Sequence, residues 1–343
     1  MSVQPLTHQA PHRAWWKPLI FFALMAAGLW LVKWQPYYGK ALSAAQSHSI
    51  GASVLAGLDS APLQAAIDYT LLYFKAVWKA ALLGILLGSL IQVLIPAQWL
   101  RRALGQERLR SSLLGSLFSL PAMMCTCCAA PVAAGMRKCS VSMGGALAFW
   151  LGNPLLNPAT LIFMGFVLGW QFTLLRLVAG LVIVFGVAAL VGRLVREPAP
   201  VDPVPLPEPE ARPAGFWPRW GQALWRLFVS TVPAYVLAVM ALGAAQVWLF
   251  PHAGQLGDGM GWLLGMALAG TLFVIPTAAE IPITQAMLAA GLGMGPALAL
   301  LVTLPAVSLP SLLMLRKSFP ARALWLTAAV VVGVGVLTGL LAG

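Results

Sequence analysis

Long apolar runs separated by short basic or Pro-rich stretches set the plan of the chain. The runs fall at Leu19–Trp34, Leu71–Ile95, Leu113–Met124, Ser142–Phe166, Leu174–Leu194, Leu224–Phe250, Trp262–Pro276, Met294–Leu304 and Leu324–Leu341. A membrane-crossing helix needs about 20 apolar residues, with a range of about 17–25. Leu113–Met124 is too short to span alone and runs into Pro121–Pro131; Met294–Leu304 runs on to Pro305–Pro310. Further interruptions lie at Gly152–Pro158, with two Asn-Pro pairs, and at Thr277–Pro282. Each proline removes a backbone donor and disfavours helix in the residue before it. Broken backbone at membrane depth is tolerated only where it is buried in protein or lines a cavity. The pattern predicts an all-α polytopic membrane protein of about 8–10 transmembrane segments, some broken or re-entrant.

The flanks give the orientation. Arg13 and Lys17 precede the first run, and Lys33 and Trp34 follow it where a signal peptide would have a small-residue cleavage site. The run therefore reads as an uncleaved helix, and residues 35–64 as a loop with room for an interfacial helix. Lys75 and Lys79 read as snorkelling cations near the start of the second run. Arg101, Arg102, Arg108 and Arg110 make a strongly basic loop, and Arg193, Arg196, Arg316, Lys317 and Arg322 mark later ones. The positive-inside rule makes these cytoplasmic. Residues 251–261 lack Lys and Arg and read as an outside loop, near which Arg176 is an exception.

The two halves repeat each other. Pro131 and Pro282, Met143-Gly144 and Met294-Gly295, and Pro154 and Pro305 share one offset (282 − 131 = 151). The basic loops place the halves in opposite directions, which is the inverted-topology plan of secondary transporters. The expected organisation is an N-terminal helix and loop (1–70), a first transmembrane repeat (71–195), a Pro-rich cytoplasmic linker (196–219) and a second repeat (220–343). The linker is polyproline-like and carries no fold of its own.

Composition sharpens this picture. Of 343 residues, 60% are hydrophobic and 9% charged, against roughly 25% charged in soluble domains. The net charge of +12 sits in loops and at helix ends, so it serves topology and anionic lipid, with no call for nucleic acid. No GxxxxGK[ST] motif for ATP is present, and no cofactor is expected.

The candidate chemistry lies in the interruptions. The four cysteines, Cys125, Cys127, Cys128 and Cys139, fall in or just after the first. Thiolates select soft species such as Cu(I), Zn and, by the same logic, trivalent arsenic. A scattered buried cysteine is usually a small hydrophobe, but three thiols within four residues at a helix break read as substrate ligands. No histidine is near, which argues against a structural zinc site. Glu280 is the sole acid in a predicted membrane run and lies beside the repeat equivalent of Cys128 (128 + 151 = 279). Carboxylates at that depth usually face a cavity as proton or substrate groups; the alternative is a cap on a half-helix N-terminus. Lys75, Lys79 and Arg137 are its candidate partners. Asn153 and Asn157 either line the pathway or cap freed backbone. Thr126, Thr277, Thr284, Gln285 and Ser308 are weaker candidates.

The run Cys-Thr-Cys-Cys-Ala-Ala-Pro-Val-Ala-Ala-Gly-Met-Arg-Lys at 125–138 resembles the bacterial permease family that includes the ArsP organoarsenical efflux permeases. The Asn153-Pro154 and Asn157-Pro158 pairs and Glu280-Ile281-Pro282 are similar to it too, and the likeness covers most of 71–342. The resemblance implies efflux of trivalent organoarsenicals such as methylarsenite across the bacterial inner membrane. On this reading Cys125, Cys127, Cys128, Asn153 and Asn157 form the substrate site, Glu280 couples a proton, and the broken segments 121–131 and 276–282 meet. The part of Cys139 is open. The rival readings are an exporter of Cu, Zn or Cd, a membrane thiol–disulfide oxidoreductase using Cys125 and Cys128, and a non-transporting membrane subunit. The oxidoreductase needs a further cysteine pair, and only Cys139 is left over.

Overall fold

The apolar runs fold as helices. The computed structural model describes residues 16–51, 53, 61–106, 109–195, 215–250 and 257–342, and among these every regular element is helical. Seven stretches are long and apolar enough to cross a membrane. The first joins α1 (Trp16–Leu29), a π-helical turn (Trp30–Trp34) and α2 (Gln35–Ser47). Then come α3 (Pro62–Leu94), α4 (Ala97–Leu104), α5 (Leu109–Ala122), α6 (Thr126–Lys138), α7 (Met143–Leu155), α8 (Pro158–Val167) and α9 (Trp170–Leu194). The second half has α10 (Phe216–Leu249), α11 (Met260–Leu272), α12 (Glu280–Ala289), α13 (Met294–Ala306), α14 (Leu309–Leu315) and α15 (Ala321–Ala342). Arg13, Arg108, Arg196 and the Pro-rich stretch 196–214 lie outside the described residues.

Two elements differ from the expectation. Residues 35–47 continue the first helix where a loop was expected. The π turn admits Pro36, which has no N–H to give, and Tyr37 packs edge-on against Phe163 of α8, with ring centroids 5.8 Å apart. Tertiary packing overrides the weak local pattern. α3 begins at Pro62, well before Leu71: proline suits the first helical position, and Gln64 donates to Asp68 (2.8 Å) across one turn of the polar start.

Hydrogen bonds fix how the short helices run. The Ser142 N–H, after α6, donates to Leu104 O (2.8 Å), before α5. Ser111 Oγ also donates to Leu104 O (2.8 Å) and lies 2.6 Å from Ser142 Oγ. The chain therefore leaves the α5–α6 hairpin on the face where it entered, and the cysteine stretch is re-entrant. The second half repeats this: Gly293 N–H, after α12, donates to Gly257 O (3.3 Å), before α11. α7 and α8 then cross together, as do α13 and α14. Three crossings, α3, α7–α8 and α9, separate the starts of the two halves, an odd number, so the halves run in opposite senses. Their boundaries keep the sequence offset, α7 starting at Met143 and α13 at Met294 (294 − 143 = 151).

α7 and α13 are apolar all round and form the core of each half. α5 and α9 flank α7, as α11 and α15 flank α13, while α3 and α10 pack on each other across the halves. By this order of crossings the helix ends that carry Arg101, Arg102, Arg110, Arg137, Lys138, Arg193, Arg219, Arg316 and Lys317 fall on one side, here the basic face; Arg137 stacks on Phe319, 5.6 Å from its centroid. Lys75 and Lys79 are exposed, as snorkelling side chains are.

Close backbone approach sets α6 against α3. A Cβ added at Gly84 would collide with Cys128 O, and one at Gly88 with Pro131 O. Gly84→Val is expected to push α6 off α3 and cost about 1–3 kcal/mol, as overpacking does. A lowered melting temperature in detergent, with reduced recovery of monodisperse protein, is the readout; an unchanged melt would show that the two helices can separate freely.

Candidate functional site

The site is built where the two re-entrant hairpins break. Met123, between α5 and α6, adopts a left-handed φ of 49°, and Ala278, before α12, one of 71°. Such strain costs about 1–2 kcal/mol per non-glycine residue and gathers at functional sites. The backbone groups that the first break frees are taken up by side chains. Trp34 Nε1 donates to Pro121 O (2.7 Å), Met124 N–H donates to Asn153 Oδ1 (3.1 Å), and Trp150 Nε1 donates to Thr126 O (3.0 Å). Asn157 caps α8, accepting from the N–H groups of Ala159 (3.1 Å) and Thr160 (3.3 Å). Both asparagines thus hold broken backbone, and Asn153 directly shapes the cysteine turn.

Cys125 occupies the N-cap of α6, with its Sγ 2.8 Å from Cys128 Sγ. Cys127 Sγ and Thr126 Oγ1 lie 3.4 and 3.2 Å from the hydroxyl of Ser308, which stands at the α13–α14 break of the other half. All three thiols are buried. Cys139 is at the opposite end of α6, against Ile91 O (3.8 Å), and is not part of the cluster.

Cys125, Thr126, Thr160, Thr277 and Glu280 line one small cavity of about 10 Å³, room for about one water. The first and second breaks therefore meet, with Cys125 on one side and the carboxylate of Glu280 on the other. Glu280 Oε1 accepts from Arg176 Nη2 at 3.1 Å, and both side chains are buried. Arg176 is its partner; the sequence expectation of Lys75, Lys79 or Arg137 fails. Those lysines are exposed and Arg137 donates to Val141 O (2.7 Å) at the basic face. Arg176 also donates to Pro154 O (3.0 Å) and Leu301 O (2.9 Å). These are the carbonyls four residues before Pro158 and Pro305, which have no N–H to offer them. One guanidinium thus serves the breaks of both halves and the buried acid.

A second buried cation was also missed in the sequence. Lys33, in the π turn, donates to Tyr37 Oη (3.0 Å) and Thr277 Oγ1 (3.2 Å) and is 4% exposed. In the sequence Lys33 and Arg176 read as end-of-helix charges because the apolar runs stop near them, whereas the helices continue to Ser47 and begin at Trp170. The available signal was the rule that an ionisable residue inside an apolar helix is functional by default.

The surroundings differ on the two sides. Toward the basic face a cavity of about 480 Å³ lies against Ala130, Pro131 and Ala134 of α6, with Lys138, Arg226 and Lys317 around it. On the other side Tyr73 and Tyr235 hydroxyls meet at 2.7 Å, Tyr69 bonds Val274 O, and Tyr69 packs on Phe273 (5.2 Å between centroids). Tyr73 precedes Gly84, the residue level with Cys128, by about 16 Å of helix. An aromatic cluster thus occupies that side of the fold.

Inverted repeats, paired re-entrant hairpins and a buried polar site where their breaks meet define a polytopic membrane permease. The chain belongs to the ArsP_1 family, described as predicted permeases, whose model matches residues 63–209 and 214–343. It is 65% identical over 344 residues to UPF0718 protein YraQ of Escherichia coli (strain K12), covering 100% of this chain and 99% of that protein. No solved structure matches it.

Proposed function

We propose that this permease exports trivalent organoarsenicals of the methylarsenite type from the cytoplasm, with the basic face and the 196–219 linker on the cytoplasmic side of the inner membrane. The observation that carries this reading is the cluster of Cys125, Cys127 and Cys128 at a buried helix break. Soft thiol ligands suit As(III). A methylated As(III) has two exchangeable positions, and the adjacent Cys125 and Cys128 supply two thiols. Export of a soft metal such as Cu, Zn or Cd is the second reading; Zn and Cd take about four ligands, and among the described residues no three His, Cys, Asp or Glu side chains are grouped to hold a metal ion.

Cargo enters through the basic-face cavity and reaches the thiols past Pro131. Asn153 keeps the cysteine turn in shape, and Asn157 holds the start of α8. Glu280 carries the coupling proton. Its protonation removes the negative charge that holds Arg176, so the guanidinium that braces both breaks is loosened in step with proton binding. Repeats 71–195 and 220–343 then rock about the meeting point of the hairpins.

Accumulation of methylarsenite, arsenite, Cu, Zn and Cd in cells with and without the protein tests the reading. Lower methylarsenite alone is the expected result. Lower Cu, Zn or Cd would select the metal exporter, and unchanged accumulation of all five would remove both.

A further inference from the structure

The buried charges do not balance. Among the described residues the fully buried charged side chains are Lys33, Arg176 and Glu280. Arg176 and Glu280 neutralise each other at 3.1 Å. Lys33 is left with two neutral oxygens, Tyr37 Oη and Thr277 Oγ1, as hydrogen-bond acceptors. An uncompensated ammonium in a membrane interior is costly, so a negative charge belongs beside it. Thr277, which accepts from the ammonium at 3.2 Å, lines the same small cavity as Cys125, so one residue links the Lys33 ammonium to the edge of the cysteine cluster. Cys125 also sits at a helix N-terminus, where thiolates are favoured, with the Cys128 sulfur 2.8 Å away.

The other groups facing the cluster do not supply this charge. Tyr73 from α3 and Tyr235 from α10 are phenols bonded to each other, Tyr69 is bonded to Val274 O, and Tyr37 accepts from Lys33 itself. Across the cavity, Glu280 is matched by Arg176.

We propose that Lys33 is the fixed counter-charge of the cysteine cluster, and that the empty site carries one thiolate, on Cys125. The π turn is the device that aims Lys33 inward, as π-helical turns at functional sites do. Lys33 precedes residue 63, where the family match begins, so the helix that completes the site lies outside the matched residues.

A consequence follows for cargo capture, and it rests on the organoarsenical reading. Methylarsenite as CH3As(OH)2 reacts with one thiolate and one thiol. Two As–O bonds break, two As–S bonds form, one proton is taken up and two waters leave; arsenic stays trivalent. Loading therefore consumes the negative charge and leaves Lys33 without its partner, so empty and loaded sites differ in charge.

The test is the rate of Cys125 modification by methyl methanethiosulfonate in purified full-length protein, followed by mass spectrometry as a function of pH. Lys33→Met is expected to slow the reaction about tenfold or more at neutral pH and move the profile to higher pH. Lys33→Arg is expected to keep the wild-type profile, and Thr277→Val, which removes one bond positioning the ammonium, to move it part of the way. Size-exclusion chromatography reports folding. A wild-type profile in folded Lys33→Met overturns the proposal; if that variant does not fold, a wild-type profile in Thr277→Val overturns it. No arsenical is present, so failure here counts against the counter-charge, while unchanged methylarsenite accumulation counts against the transport reading.

Discussion

Serine at Cys125, Cys127 and Cys128 together is expected to give a folded, membrane-inserted protein that no longer lowers methylarsenite accumulation. The change is close to isosteric, and hydroxyls can keep the hydrogen bond that Cys127 makes to Ser308 Oγ at 3.4 Å, so packing around α6 should persist. What is lost is the soft ligand, because a hydroxyl is a hard, weakly acidic oxygen with little affinity for As(III). Single changes are expected to be milder, since two thiols still chelate. The geometry ranks them: Cys127→Ser leaves the adjacent Cys125 and Cys128 intact at 2.8 Å, whereas Cys125→Ser or Cys128→Ser breaks that pair. Accumulation equal to the vector control, with normal protein in the membrane fraction, is the expected result for the triple variant. Wild-type resistance in it would make the cluster a packing feature.

The second large effect lies at the Arg176–Glu280 pair, where two variants should diverge. Arg176→Leu leaves a buried carboxylate alone and strands Pro154 O and Leu301 O. Breaking a buried pair from one side costs about 3–5 kcal/mol, and the variant should melt early or fail to leave the detergent void volume. Glu280→Gln keeps a carbonyl oxygen for Arg176 to donate to, keeps the size, and cannot titrate. It leaves the Arg176 charge with three neutral oxygens, those of the introduced amide, Pro154 and Leu301, so it is expected to cost some stability but less than Arg176→Leu, to bind methylarsenite without exporting it against a gradient, and to lose the pH dependence of transport in proteoliposomes. Wild-type export rate and pH profile in Glu280→Gln would leave Glu280 as a structural counter-ion to Arg176.

The architecture was legible because proline and charge act locally. Pro131 and Pro282, Pro154 and Pro305, and the Met-Gly pairs mark breaks and starts that backbone chemistry enforces, so the repeat could be read before any contact was known. The convergence of the cysteine stretch with the Glu280 segment was legible for the same reason: broken helices must be buried together. What sequence did not give was partnership across distance. Arg176 meets Glu280 across 104 positions and Lys33 meets Thr277 across 244, and no periodicity encodes such pairs. The helical course of residues 35–47 was hidden because packing on α8 decides it, and the re-entrant course of α5–α6 because a hydrogen bond between Ser142 and Leu104 does.

Among the described residues the N-terminal helix has no counterpart in the second half, yet it is fastened to both halves: Trp34 to Pro121 O and His48 to Phe166 O (2.8 Å) in the first, Lys33 to Thr277 in the second. A transporter made only of two inverted halves could swap their conformations and arrive at a state of nearly equal free energy. Among the described residues no matching helix awaits the swapped state, so the proposed rocking would give up some of these bonds without replacement. At about 1 kcal/mol net per hydrogen bond, two or three of them skew the populations of the two access states by one to two orders of magnitude. In the proposed rocking cycle the strap would set which side the empty permease waits on, and it would make the return of the empty carrier, rather than the outward step, the place where the cycle is slowed.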